Sequence, residues 1–171
     1  MASTRFCEQA VIVTGASSGI GESLALRLAD EGAWLALAAR RADRLEAVAA
    51  ACRQRGGRAL AIPTDVSDEP ACRSLVDRAR QEFGRVDMLV NNAGLSVVAL
   101  LEELHNLDLF RRVMGVNFYG ALYCTYHALP HLIESRGRLV NVSSLGGKFA
   151  IPYNSSYVAS KFALGGLSDS L

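Results

Sequence analysis

Residues Val11-Ile12-Val13-Thr14-Gly15-Ala16-Ser17-Ser18-Gly19-Ile20-Gly21 restrict the fold more than any other stretch. A strand-forming apolar run stops at Thr14, and three glycines follow at Gly15, Gly19 and Gly21. Glu22 to Ala29 then carries apolar residues at helical spacing. Strand, glycine turn and helix in that order form the setting of a dinucleotide-binding turn. Gly15 supplies the tight turn, Gly19 leaves room for backbone to approach a pyrophosphate, and Gly21 lets the helix pack closely on its strand. The helix N-terminus adds unpaired N–H groups and a partial positive charge. The spacing G-x-x-x-G-x-G departs from the generic G-x-G-x-x-G, so on its own the loop also reads as a structural glycine turn.

The rest of the chain repeats the alternation. Trp34 to Ala39 is a continuous apolar run suited to a strand covered on both faces, and Arg40-Arg41 ends it. A helix is expected from about Asp43 to Arg55, then a strand at Ala59 to Pro63, with Thr64-Asp65-Val66 just beyond its end. Ser67 or Asp68 caps the next helix, which buries Cys72, Leu75, Val76, Ala79 and Phe83 and stops at Gly84. Val86 to Val90 reads as a fourth strand running into Asn91-Asn92-Ala93-Gly94. A long helical region follows, Leu107 to Ile133, with a break expected near Pro130. Arg138 to Val142 is a fifth strand that delivers Ser143-Ser144, and a last helix holds Tyr157, Lys161, Leu164 and Leu167. Such alternation gives one α/β domain over residues 1–171, built on a parallel sheet. Gly15, Arg40, Asp65, Asn92 and Ser144 then all fall at strand carboxyl ends, where sheets of this type bind ligands.

Composition narrows the partners. Eighteen Lys plus Arg against seventeen Asp plus Glu leave a net charge of +1, and no charge run marks a nucleic-acid surface. Cys7, Cys52, Cys72 and Cys124 are widely spaced and read as reduced, mostly buried thiols. Met1 to Glu8 lacks the apolar core of a signal peptide, and no uncharged run approaches the ~18 residues of a membrane helix. A cytoplasmic protein without membrane partners is the expectation.

Thr14-Gly15-Ala16-Ser17-Ser18-Gly19-Ile20-Gly21, Asn91-Asn92-Ala93-Gly94, Asn117, Ser144 and Tyr157-Val158-Ala159-Ser160-Lys161 together resemble the short-chain dehydrogenase/reductase family. The glycine spacing is that family's own, and the resemblance covers essentially the whole chain. It implies a Rossmann-type doubly wound sheet in three αβα layers. It also implies an NAD(P)-dependent oxidoreductase acting on an alcohol or carbonyl compound, assembled as a homodimer or homotetramer through the helices carrying Asn117 and Tyr157. Cofactor contacts carry over to Gly15, Ser17, Ser18, Gly19, Ile20, Gly21, Asp65, Val66, Asn92, Ala93 and Gly94.

The chemistry also stands on the residues. Tyr157 and Lys161, at i and i+4 of a helix, share one face. A free phenol titrates near ~10, and a nearby ammonium favours the phenolate. Tyr157 is then the general acid in carbonyl reduction and the base in alcohol oxidation. Ser144 is placed to hydrogen-bond the same substrate oxygen. The resemblance assigns Lys161 a contact to the nicotinamide ribose and Asn117 a water in a proton relay. Singly, each residue has a blander reading: a surface pair, a turn serine, a packing asparagine. Their joint order and strand positions argue against all of these together.

An NAD-selective fold normally ends its second strand with an acidic residue. That position here is Ala39, followed by Arg40 and Arg41. A guanidinium suits a 2′-phosphate, so NADP(H) is expected over NAD(H), with Arg40 the preferred partner. Lys148 to Tyr153 and Leu95 to Val97 are expected around an apolar substrate. The family pattern continues past this last helix with a strand, a Pro-Gly segment, a substrate lid and a final strand, so the chain reads as an incomplete copy. Two other functions fit the same motifs: a non-catalytic dinucleotide-binding or redox-sensing protein, and a relative with epimerase or dehydratase chemistry.

Overall fold

The computed structural model describes residues 5–171. The reading of the amino terminus as free of a leader rests partly on residues 1–4, outside the described residues. The described residues form five strands and six α-helices, in the order β1 (Ala10–Thr14), α1 (Gly19–Asp30), β2 (Trp34–Ala39), α2 (Ala42–Gln54), β3 (Arg58–Pro63), α3 (Glu69–Phe83), β4 (Met88–Asn91), α4 (Asp108–Met114), α5 (Gly120–Ser135), β5 (Arg138–Asn141) and α6 (Ser155–Ser170). All strand pairs are parallel, in the order β3-β2-β1-β4-β5. The chain therefore builds outward from β1 to β3, then returns to lay β4 on the other side of β1. That reversal opens a crevice between the carboxyl ends of β1 and β4.

The alternation of β1 sets the layers. Val11 and Val13 face a core with Ala25, Leu28 and Ala29 of α1 and Leu45, Val48 and Cys52 of α2. Ile12 faces the opposite core, with Cys72, Leu75, Val76 and Phe83 of α3 and Cys124, Ala128 and Leu132 of α5. The result is the three-layer, doubly wound arrangement of a Rossmann-type sheet. All four cysteines are free, and only Cys7 is exposed. Burial pushes the Cys52 thiol up to about 11, against the opposing pull of Arg55 and Arg53, so it stays protonated at neutral pH. Among the described residues, no helix is long and apolar enough to cross a membrane.

Boundaries that differ from expectation have identifiable causes. The ladder of β4 starts at Met88, because the Asp87 carboxylate takes over part of the backbone pairing by accepting from Ala10 N at 2.9 Å. Of the two expected caps of α3, Asp68 is the one used, accepting from Ala71 N at 3.2 Å. The expected break near Pro130 does not occur, since α5 runs through it from Gly120 to Ser135. Pro130 removes one N–H, and the buried Ala128 and Leu132 on either side hold the helix. The irregularity lies earlier, where Gly115–Tyr119 winds as a π-turn around Asn117. There Gly120 presses on Val66, so close that an added Cβ would lie 2.7 Å from Val66 Cγ2.

Candidate functional site

A cleft of about 340 Å³ occupies the strand reversal, within the ~300–1,000 Å³ usual for small-molecule sites. Gly15, Ser17, Ser18 and Ile20 line it after β1, Arg40 and Arg41 after β2, Asp65 and Val66 after β3, and Asn92, Ala93 and Gly94 after β4. Ala39, Thr64, Leu95 and Val116 complete the wall; Leu95 was expected beside the substrate, whereas Thr64 and Val116 were not singled out.

Each glycine of the loop meets a different constraint. Gly15 has φ +67°, and an added Cβ would sit 2.8 Å from Ala93 Cα. At Gly21 that atom would reach 2.5 Å from Gly15 O and from Asn92 Nδ2. Gly19, at φ +62°, has nothing within 4 Å and faces open space. Ser18 precedes α1 without capping it. The first amides of the helix therefore keep their donors and the positive end of the helix dipole.

Thr14 ties the two sides of the crevice together. Its buried hydroxyl accepts from Asn92 N and Ala93 N, each at 3.0 Å. Asn92 returns the contact, donating Nδ2 to Thr14 O at 2.9 Å and Gly15 O at 3.2 Å. A threonine at the end of a wholly apolar strand was the only signal for this in the sequence. Thr14→Val keeps the shape and leaves two amides without that acceptor, a cost of about 1–3 kcal/mol. For a chain of this size the melting temperature should fall by roughly 3–10 °C, read by calorimetry. An unchanged melting temperature would contradict the tie.

The two arginines after β2 differ. Arg41 Nη2 donates to Ser17 Oγ at 3.1 Å and to Ser18 Oγ at 2.9 Å, closing over the glycine loop. Arg40 instead lies in the field of Asp65. Burial raises the Asp65 pKa, but the Ser67 hydroxyl and amide, Arg40 and Arg112 together outweigh it and hold the carboxyl below its ordinary range.

Beyond Gly94 lie the four expected chemical residues. Asn117 is 1% exposed. Its Oδ1 accepts from Leu95 N at 2.8 Å, while Nδ2 donates to Leu95 O and to Ser160 Oγ, both at 2.9 Å. Both amide hydrogens are thus engaged by the chain itself. Lys161 is 5% exposed, and its Nζ donates to Val142 O at 2.7 Å, just past β5. The same nitrogen lies 5.8 Å from the centre of the Tyr157 ring. Burial alone holds the Lys161 ammonium below its ordinary range, so a ligand that offers it acceptors favours the charged form. Ser144 Oγ accepts from Gly146 N at 3.1 Å. The Tyr157 ring rests against Gly146, where an added Cβ would come within 3.3 Å of Cε1. Tyr157 lies in the first turn of α6, and among the described residues no side chain or backbone group hydrogen-bonds its hydroxyl.

The mouth of this region is laced shut on one side. Ala99 N donates to Tyr153 O at 2.9 Å, and Ser96 and Asn154 exchange side-chain hydrogen bonds. Exposed Val98, Leu145, Phe149, Ile151 and Tyr153 give it an apolar surface.

A family model described as short chain dehydrogenase matches residues 9–171. The chain belongs to the short-chain dehydrogenase family. It is 45% identical over 155 residues to 11-beta-hydroxysteroid dehydrogenase-like 3 of Arabidopsis thaliana, covering 90% of this chain and 50% of that protein. Among solved structures it resembles an alcohol dehydrogenase of Thermococcus sibiricus complexed with 5-hydroxy-NADP, at 34% identity and a TM-score of 0.91, covering 95% of this chain and 69% of that one. It also resembles NAD+-bound xylitol dehydrogenase, at 34% identity and a TM-score of 0.92, covering 97% and 64%. The chain spans about half the length of the curated short-chain dehydrogenase relatives it matches.

Proposed function

We propose that the protein is an NADP(H)-preferring oxidoreductase that interconverts an alcohol and a carbonyl compound. The observation that carries this reading is a crevice holding an uncapped helix terminus and an open Gly19, with Lys161 Nζ beside its Gly94 edge, 3.9 Å from where a Cβ would sit, and the Tyr157 ring 5.8 Å from that nitrogen. The lining fits a dinucleotide. The amides of Gly19 to Gly21 would hold its pyrophosphate, Asp65 and Val66 its adenine, and Lys161 its nicotinamide ribose. Once bound, the nicotinamide supplies or accepts the hydride.

The chain's own groups handle the proton. Tyr157 delivers one to the carbonyl oxygen during reduction and removes it during oxidation. Ser144 donates a hydrogen bond to the same oxygen and stabilises its developing charge. Lys161 sets its amine beside the Tyr157 ring, 5.8 Å from the ring centre. Asn117 acts as a clamp between Leu95 and α6, because its carboxamide N–H groups are already committed.

For the 2′-phosphate, Arg41 takes precedence over the expected Arg40. Its guanidinium already sits on the Ser17 and Ser18 hydroxyls, a ring of donors that a phosphate would join. Arg40 makes no such contact with the loop hydroxyls among the described residues, and its charge acts on the Asp65 carboxylate. The apolar mouth favours a hydrophobic carbonyl substrate, in keeping with the hydroxysteroid dehydrogenase-like name of the plant relative. A homodimer or homotetramer through α5 and α6 belongs to the same reading, supported by exposed Tyr126, Ile133 and Phe162. The test is NADPH-dependent reduction of carbonyl compounds by the protein and by its Tyr157→Phe variant, followed at 340 nm.

A further inference from the structure

Ser160 lies between Tyr157 and Lys161 in α6 and is 0% exposed. Its hydroxyl donates to Tyr157 O at 2.7 Å. A serine bonded back to its own preceding turn is ordinary in helices and slightly loosens them. Here the same oxygen also accepts from Asn117 Nδ2 at 2.9 Å, and that changes what it does. The Asn117 carboxamide holds both the amide and the carbonyl of Leu95. One continuous path of hydrogen bonds therefore runs from Leu95, after β4, through Asn117 in the π-turn and Ser160, to the backbone of Tyr157. Gly94 closes the circuit: a Cβ there would sit 3.4 Å from Asn117 Oδ1 and 3.9 Å from Lys161 Nζ.

We propose that Ser160 is the positioning residue for Tyr157, fixing the first turn of α6 against the Gly94–Leu95 wall of the cleft. The proposal rests on the acid–base reading of Tyr157 and Lys161 given above. Lys161 has its own anchor at Val142 O, one turn further along α6. The two members of the pair are thus held by different elements, Lys161 by the end of β5 and Tyr157, through Ser160, by the π-turn. Loss of the Ser160 hydroxyl frees the tyrosine turn and leaves one Asn117 amide hydrogen buried without its partner. Misplacement of a reacting group by a fraction of an ångström to an ångström lowers turnover steeply while leaving cofactor contacts made elsewhere in place.

The test compares Ser160→Ala, Ser160→Thr and the nearly isosteric Ser160→Cys with the unaltered protein and with Tyr157→Phe, using NADPH and 9,10-phenanthrenequinone as probes. In Ser160→Ala, kcat should fall about 10- to 100-fold while the quinone KM and the NADPH Kd stay within about threefold. The pH dependence of kcat should shift as well. Ser160→Thr, or Ser160→Cys where the extra methyl is not accommodated, should restore much of the rate. In NMR spectra the Asn117 side-chain amide, assigned by its loss in Asn117→Asp, should exchange slowly in the unaltered protein and faster in Ser160→Ala. Wild-type kcat in Ser160→Ala overturns the proposal. So does a loss of rate matched by equal losses of NADPH affinity and melting temperature and not restored by threonine or cysteine, which marks a packing role alone. Full turnover by Tyr157→Phe, or none by the unaltered protein, instead removes the acid–base reading beneath it.

Discussion

Tyr157→Phe is expected to lower carbonyl reduction by about 10²- to 10⁴-fold, the usual contribution of a positioned acid or base, with NADPH affinity within about twofold. The substitution is clean in this setting. The ring packs against Gly146 and is retained by phenylalanine, and no hydrogen bond of the tyrosine hydroxyl is lost among the described residues. The backbone carbonyl that receives Ser160 also remains. Melting temperature should therefore stay near that of the unaltered protein, and the loss should fall on kcat. Lys161→Met makes an informative companion. It removes the charge near the phenol and the bond to Val142 O, so rate and cofactor affinity should decline together. Retained turnover in Tyr157→Phe would contradict the acid–base assignment.

The second large effect concerns cofactor choice. Arg41→Ala should weaken NADPH binding by about 10- to 100-fold, the loss expected when charge-assisted hydrogen bonds to a phosphate disappear. NADH, which lacks that phosphate, should bind nearly as before. Arg40→Ala should change the ratio less, because Arg41 is the arginine that donates to Ser17 and Ser18 of the glycine loop. Arg41→Glu should reverse the preference, through repulsion of the phosphate. Dissociation constants for both cofactors with each variant decide the matter. Equal losses for NADPH and NADH in Arg41→Ala, or a larger effect at Arg40, would contradict the assignment.

Those two arginines also show where sequence reading stops. Neighbours at a strand end leave on opposite sides, and counting along the chain does not say which one faces a loop 23 or 24 residues away. The strands themselves were legible because their signals are local. β2 has the expected bounds, Trp34–Ala39, since a continuous apolar run between a glycine turn and two arginines leaves little freedom. The glycine loop was legible for the same reason, each glycine answering a steric demand set within a few residues or by the adjoining strand. Cross-element polar ties were not. Thr14 reaches Asn92 across 78 residues, and Asn117 reaches Ser160 across 43. In the sequence Thr14 marks a strand end and Ser160 a helix position, and neither shows which distant residue its hydroxyl meets. The misplaced helix break has the same origin: Pro130 is a local signal that packing overrides, whereas the π-turn at Gly115–Tyr119 answers to tertiary contacts of Asn117 and Gly120.

The most direct test of the account uses the chain's single tryptophan. Trp34 opens β2, while Ala39 at the other end of that strand lines the cleft, a separation of roughly 17 Å along an extended strand. Trp34 is held under the Arg58 guanidinium at 4.8 Å and beside Phe83 at 6.0 Å, so its emission reports distance to an acceptor and not local rearrangement. Titration with NADPH should quench Trp34 and raise nicotinamide emission in a saturable way, and NADH should require at least about tenfold higher concentration. Absence of saturable energy transfer with either cofactor at millimolar concentration would contradict the assignment of this cleft as a dinucleotide site.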